Sequence, residues 1–335
     1  IGGFKMQEIT REVLIEKASK LLEDGTCDRV LGWRKGEFFY DVTPSVFGSA
    51  DELAEDFVWN GFCGANFSKY LVAETLKSDK KVLVFLKPCD TYSFNQLLTE
   101  HRFDREKVYA VGVPCCGMID INRAKEKAEG LSDVSFEGEN AVLHTLFDGD
   151  VKVPREELLA ERCVNCKSKK HVAYDELLGE DGEVLDSARF DEVAKIEKMS
   201  SDERFAFWQG ELSRCIRCNA CRDVCPACTC EKCVFDNPDS GVENKAPSTE
   251  FEEKMFHIIR AFHVAGRCTD CGECSRVCPQ HIPLHLLNRK FIKDIDELYG
   301  DYQAGAEVGS RAPIVNYTVD DAEPDEAVKR GDDNA

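Results

Sequence analysis

Apolar residues recur at helical spacing over residues 10–23 (TREVLIEKASKLLE), placing Val13, Leu14, Ala18, Leu21 and Leu22 on one side, with Gly25 closing the helix. Residues 28–42 alternate around glycines, and WRKGEFFY reads as a hairpin. Ser49 to Glu52 has the form of a capping box and predicts a helix to about Trp59; a further helix is expected from Phe67 to Leu76. The clearest pattern follows. Val82–Leu86 is continuously apolar, Tyr92–His101 is helical in period, and Val108–Val113 is apolar again. Strand, helix and strand in about thirty residues predict a right-handed βαβ unit with parallel strands. Both strands run into a proline and a cysteine, Pro88-Cys89 and Pro114-Cys115-Cys116-Gly117. Ligands of open parallel sheets sit beyond the carboxyl ends of the strands, so Cys89, Cys115 and Cys116 are expected at one edge of the sheet.

Residues 120–160 are charged and mixed in pattern. Cys163-Val164-Asn165-Cys166 comes next, then a basic run from Lys167 to His171 and an acidic, glycine-containing stretch over 179–192 that reads as a linker. Ser200 to Glu203 is a second capping box, opening a helix through Phe205, Trp208 and Leu212 towards Cys215. Residues 236–248 have loop composition, and Thr249 to Glu252 is a third box. The helix after it carries Phe251, Met255, Ile258, Ile259 and Phe262 at helical spacing and is expected to stop at Gly266. From Gly300 the periodicity is lost in an acidic tail, mobile or draped on a partner. These shifts divide the chain into an α/β domain with a parallel sheet (1–195), a helical domain (196–300) and the tail (301–335).

Charge narrows the class. The 335 residues include 63 acidic and 43 basic side chains, a formal charge of -20, which argues against nucleic acid and anionic membrane surfaces as partners. No apolar run approaches the roughly 18 residues of a membrane span. The segment before Val13 has no apolar signal core, and Ile1 to Lys5, which precede the first methionine, are set aside. Eighteen cysteines without a leader are expected in a reducing cytoplasm, where thiolates serve metals or redox chemistry.

Eight of the eighteen form two runs, Cys215-x2-Cys218-x2-Cys221-x3-Cys225-Pro226 and Cys268-x2-Cys271-x2-Cys274-x3-Cys278-Pro279. This is the spacing of 4Fe-4S proteins, in which the fourth cysteine of each run ligates the other cluster. One cluster is therefore expected on Cys215, Cys218, Cys221 and Cys278, and the other on Cys268, Cys271, Cys274 and Cys225. Zinc prefers paired C-x2-C knuckles, and two complete runs ending in Cys-Pro do not suit it. Cys228, Cys230 and Cys233 read as buried thiols beside the second cluster or as ligands of another metal. A third iron–sulfur cluster is expected on Cys115 or Cys116 with Cys163 and Cys166, completed by Cys89 or Cys63; zinc or unliganded thiols are the alternatives. Arg214, Arg217, Arg222, Arg267 and Arg276 flank the cysteine runs, where they would raise cluster potentials or neutralise nearby carboxylates. His257 and His263 read as surface or packing residues. Asp90 and Asp120 have no evident partner.

The interval between the runs is long and partly helical, and Gly266-Arg267-Cys268 through Pro279-x-x-Ile282-Pro283 resembles the second motif of the α-helical ferredoxin found in the heterodisulfide reductase C chain and in the succinate dehydrogenase iron–sulfur protein. The Cys115-Cys116-Gly117 and Cys163/Cys166 order is similar to the CCG motif of the heterodisulfide reductase B chain, with different spacings. In the first half, Val30 to Gly36, Trp59 to Cys63 with Lys69-Tyr70-Leu71, Lys87 to Asp90 and Gly112 to Cys115 resemble the beta-subunit family of deazaflavin-coenzyme-reducing hydrogenases and formate dehydrogenases. The A chain of anaerobic sulfite reductase is also similar. The resemblance implies an electron-transfer subunit of an anaerobic oxidoreductase complex, partnered by other subunits such as a flavoprotein. It leaves open FAD on this chain and a catalytic role in reducing a deazaflavin, a disulfide or sulfite. No Gly-x-Gly-x-x-Gly is present, and Gly61-x-x-Gly64 is too short to serve as one.

Overall fold

The computed structural model describes residues 9–167, 170–182, 188–237 and 250–316. Its strands are β1 (Cys27–Lys35), β2 (Val42–Phe47), β3 (Lys81–Leu86), β4 (Val108–Gly112), β5 (Leu131–Glu137), β6 (Asn140–Thr145), β7 (Val151–Pro154) and β8 (Glu176–Leu177). One sheet has the order β2-β1-β3-β4-β8, parallel throughout except for β2, which returns antiparallel from the Gly36 hairpin. β5, β6 and β7 form a separate antiparallel meander.

The βαβ unit stands as its pattern predicts. β3 and β4 pair in register from Val82↔Val108 to Leu86↔Gly112. All of Val82–Leu86 is buried, as befits a central strand covered on both faces. The connecting helix, Pro88–Thr99, starts four residues earlier than its apolar period suggests. Proline at the first helical position supplies a preset φ, and the Asp90 carboxylate accepts the Lys87 backbone N–H at 3.1 Å.

The first helix, Arg11–Glu23, is capped by Thr10 and buries Leu14, Ala18 and Leu21; Gly25 leaves it at φ +76°. Val13 is a correction, since it faces solvent. Ser49 accepts the Glu52 N–H as expected, but Glu52 reaches back to Gly48 rather than Ser49, and the helix ends at Asp56, short of Trp59. Ser200 and Glu203 close a full capping box. The third box and the loop over 238–248 lie outside the described residues. The apolar pattern does not predict β5–β7 or β8. Only Val134 is fully buried in β5, so the apolar signal of that strand is faint, and β8 is two residues long.

The Glu250–Val264 helix turns a different face inward from the one its apolar stripe predicts. Phe256, His257, Arg260, Ala261 and Val264 are buried, whereas Met255 and Ile258 are exposed and Phe262 is 61% exposed against the Phe291 ring. The inner face meets the cysteine turns, where hydrogen-bond donors and cations are needed.

Residues 301–316 lie against both the α/β and the helical parts, Gly305 and Gly309 on the Pro88–Thr99 helix and Tyr302 and Ala312 at Gly266, with Ala304 and Ala312 buried. Gly305, at φ +75°, sits so close to Tyr92 that an added Cβ would fall 1.9 Å from its carbonyl oxygen. Gly305→Ala is therefore expected to cost more than about 1 kcal/mol, since both the backbone conformation and the close approach resist a side chain; urea unfolding of the purified chain measures it. Among the described residues no helix is long and apolar enough to cross a membrane.

Candidate metal centres

The two cysteine runs fold alike. Two residues after the first cysteine and one after the second, the backbone is left-handed: Arg217 (φ +55°) and Asn219 (φ +64°) in the first run, Asp270 (φ +60°) and Gly272 (φ +68°) in the second. A single helical turn then carries the third cysteine, Ala220–Asp223 or Glu273–Arg276. Left-handed residues other than glycine cost energy, of order 1–3 kcal/mol each, and persist where the surroundings fix them. Here they aim N–H groups at sulfur. The Arg217 N–H donates to Cys215 Sγ at 3.4 Å. Backbone N–H groups of Ala227, Asp270, Glu273 and Ser275 serve Cys225, Cys268, Cys271 and Cys274.

The last cysteine of each run has thiols of the other run among its neighbours. Cys278 lies in the electrostatic neighbourhood of Cys221, together with Cys274 and Cys215. Cys225 lies in that of Cys268, Cys271 and Cys274. Cys218 is exposed at the outer edge of its group. His257, expected at the surface or in packing, is buried with Nε2 3.2 Å from Cys215 Sγ. Burial, with the charges of Arg260 and Arg217 added, pushes its pKa down to about 3, so the ring is neutral. His263 is exposed.

Cys89, Cys115, Cys163 and Cys166 line one small enclosed cavity, and Cys271 of the second run borders it. Cys89 comes from the first turn of the Pro88–Thr99 helix, Cys115 from the loop after β4, and Cys163 from the short Glu161–Val164 helix. Gly117 and Met118 donate N–H groups to Cys115 and Cys163 Sγ, both at 3.4 Å. Gly117 stands at φ +94° with its missing Cβ directed at Leu159, 2.6 Å away, so the loop requires glycine. Cys116 lines a neighbouring groove instead. Cys63 is fully buried elsewhere, accepts the Asn60 N–H, and is pushed by burial up to about 12. Beneath the cavity Lys87 is completely buried, 2.8 Å from Asp90 and 4.8 Å over the Trp33 ring. Asp90 thus has a partner that the sequence does not reveal, and Asp120 caps the Ile121–Lys127 helix.

The cysteine runs are locked to the α/β part by Glu273. Its side chain is 0% exposed, accepts the Asn66 N–H at 3.2 Å and pairs with Arg162 and, at 2.7 and 2.8 Å, with Arg276. Burial raises the Glu273 pKa, but Arg276, Arg162 and the Asn66 N–H more than reverse this and hold it at about 2. Arg162 also donates to Gly64 O and Cys271 O. The flanking arginines named from sequence are largely neutralised: Arg214 by Glu211, Arg222 by Asp236, Arg267 by Glu100 and Arg276 by Glu273. Arg217 stacks over Phe256. Arg260, Arg162 and His257 are neighbours of the thiols that cysteine spacing does not reveal. The signal for the first and last is two ionisable residues three apart on one helical face.

Cys228, Cys230 and Cys233 line a groove of about 530 Å³ with Lys69, Arg222 and Arg260. Cys228 is hydrogen-bonded to Cys225. Among the described residues no three His, Cys, Asp or Glu side chains converge on a point that would hold a single metal ion. An all-thiol donor set, repeated left-handed turns, and N–H groups aimed at sulfur fit iron–sulfur clusters.

Residues 211–282 match the family described as the 4Fe-4S dicluster domain. Two curated proteins match most of the chain. The F420-dependent formate dehydrogenase beta subunit of Methanocaldococcus jannaschii is 26% identical over 83% of this chain and 88% of its own length. The F420-dependent formate dehydrogenase 1 beta subunit of Methanococcus maripaludis is 26% identical over 88% and 92%. The chain is a homologue of these beta subunits. It combines an α/β region built on a mostly parallel sheet with a 4Fe-4S dicluster domain. Part of the chain (47%, and 59% of the other) also aligns with a solved chain of the F420-reducing [NiFe] hydrogenase complex from Methanosarcina barkeri, at TM-score 0.36 and 14% identity, a likeness too low to bear on the fold.

Proposed function

We propose that this beta-subunit homologue is the iron–sulfur electron-transfer subunit of an anaerobic multi-subunit oxidoreductase, of formate dehydrogenase, hydrogenase or heterodisulfide-reductase type, working in the cytoplasm. The observation that carries the reading is the row of three thiol groups. The four-thiol cavity is bordered by Cys271, and the last cysteine of each run has thiols of the other run among its neighbours, which supports the swapped ligand sets. Cysteines 215, 218, 221 and 278 would hold one 4Fe-4S cluster, 268, 271, 274 and 225 the second, and 89, 115, 163 and 166 a third iron–sulfur cluster. When bound, the clusters supply one-electron carriers whose potentials follow charge, hydrogen bonding and burial. The chain's own part is to fix their spacing and to limit water: Cys274 is buried, and Cys89, Cys268 and Cys271 are partly buried. Neutral His257 and the turn N–H groups stabilise the thiolates.

A second reading is an FAD-bearing catalytic subunit reducing a deazaflavin, a disulfide or sulfite. It draws on the groove of about 280 Å³ that shares Cys115 with the cavity and is lined by Trp59, Phe136, Arg11 and Arg155, apolar rings beside cations. Iron and acid-labile sulfide analysis with electron paramagnetic resonance, on anaerobically purified chain, tests both readings. About twelve irons per chain are expected, against about eight if the cavity holds no cluster. Flavin absorbance with turnover of a soluble acceptor selects the second reading. Zinc without sulfide overturns both.

A further inference from the structure

We infer that Arg260 is a cation shared by both cysteine groups, one buried guanidinium that raises the reduction potentials of two clusters together. This rests on the two-cluster reading above and goes beyond it by naming what sets the potentials.

Arg260 projects from the inner face of the Glu250–Val264 helix and is 4% exposed. Its Nη2 donates to the Cys221 carbonyl at 2.9 Å, on the first cysteine run. The same guanidinium lies in the field of Cys225, Cys274, Cys221 and Cys228. It therefore faces one thiol of the group built on Cys215 and two of the group built on Cys268, with Cys228 alongside. Its Nε finds no hydrogen-bond partner among the described residues.

What sets Arg260 apart is how its charge is met. The other deeply buried arginines beside the runs have carboxylates: Arg162 pairs with Glu273, and Arg189 and Arg289 both pair with Asp270. Each of those guanidiniums has a carboxylate, shared or not, within ion-pair distance. Among the described residues, no carboxylate pairs with Arg260; its negative neighbours are thiols. A buried cation demands a compensating anion, and here only the thiolates of loaded clusters supply it. Reduction adds one electron, delivered by a reductant, to a cluster that gives up none, and so increases its negative charge. A fixed cation in a low-dielectric interior favours that state. Lys69, held by the carbonyls of Arg222 and Cys228, lies in the field of the thiols Cys225 and Cys228 and of Asp223, and the thiol that His257 is hydrogen-bonded to is Cys215. Arg260 spans both groups.

The test uses the full chain, purified anaerobically, with iron and sulfide counted before redox titration followed by electron paramagnetic resonance. Arg260→Gln removes the charge and keeps a donor. It is expected to keep its iron and to lower the reduction equilibrium constants of both clusters at least tenfold, about 59 mV for one electron. Arg260→Lys is expected to keep both within about threefold of the parent, about 30 mV by the same relation. A shift in one cluster only, no shift in either, or a lysine variant that falls as far as glutamine overturns the inference. If Arg260→Gln loses iron, the lysine variant decides: retention of both potentials supports the shared charge, and a tenfold fall in either overturns it. Parent protein without iron and sulfide refutes the two-cluster reading itself, a result distinct from unchanged potentials in loaded protein.

Discussion

Cys278→Ala is expected to remove the iron held by the first cysteine run, although Cys278 belongs to the second. Cys221 has Cys278 among its neighbours, with Cys274 and Cys215, while Cys225 neighbours Cys268, Cys271 and Cys274. The single variant should lose about four irons. Pairing it with a second alanine makes the result decisive. Cys278→Ala with Cys218→Ala should lose no more iron than either change alone, because both act on one centre. Cys278→Ala with Cys271→Ala should lose about eight, because two centres are struck. The reverse pattern, in which 278 pairs with 271, would place each run on its own cluster and remove the reason for the two to sit side by side. Iron and sulfide counts on the four proteins read this directly.

Glu273→Gln is expected to cost about 3–5 kcal/mol in urea unfolding, the usual consequence of removing one member of a buried ion pair. The substitution leaves Arg162 and Arg276 without their shared carboxylate, and Arg162 is itself almost fully buried. The expected structural result is loosening between the cysteine runs and the α/β part, because Asn66, Gly64 and Arg162 all meet the second run around this carboxylate. In an Arg162→Met background the same change should cost less than in the parent, with a coupling of about 0.5–3 kcal/mol. Strict additivity would show that the network is not the lock. The pH sign follows from the depressed pKa. A carboxyl held at about 2 in the folded chain stabilises it fully above its unfolded value of 4.5, and the contribution is lost as pH falls towards 2. The parent should therefore weaken across that window more steeply than Glu273→Gln.

The two cysteine runs and the βαβ unit are legible in the sequence because each obeys a short-range rule: fixed thiol spacing in one, alternation of apolar strand and amphipathic helix in the other. The third set of thiols is half legible. Cys115, Cys163, Cys166 and Cys89 line one cavity, but that Cys116 lines only the neighbouring groove and that Cys63 closes its own turn against Asn60 is visible only in three dimensions. The small meander β5–β7 escapes pattern reading for a different reason. β5 and β7 bury few side chains, so their alternation is mostly polar, and β6 buries only the short run Ala141–Leu143. The Glu250–Val264 helix shows the limit of hydrophobic pattern most clearly. Its core-facing side carries His257 and Arg260, chosen by what the thiols need, while Met255, Ile258 and Phe262 stay outside.

The Pro88–Thr99 helix has Cys89 in its first turn, and its next residues are gripped from three directions. Ser93 is hydrogen-bonded to both Asn66 and Thr269, Gly305 presses on the Tyr92 backbone, and Thr91 holds the Val172 N–H. Thr269 follows Cys268 directly. One helix thus acts as a gauge block between the four-thiol cavity and the second run. Current passing there would track driving force and not wait on protein motion, so thickening the solvent with glycerol should leave the internal transfer rate untouched.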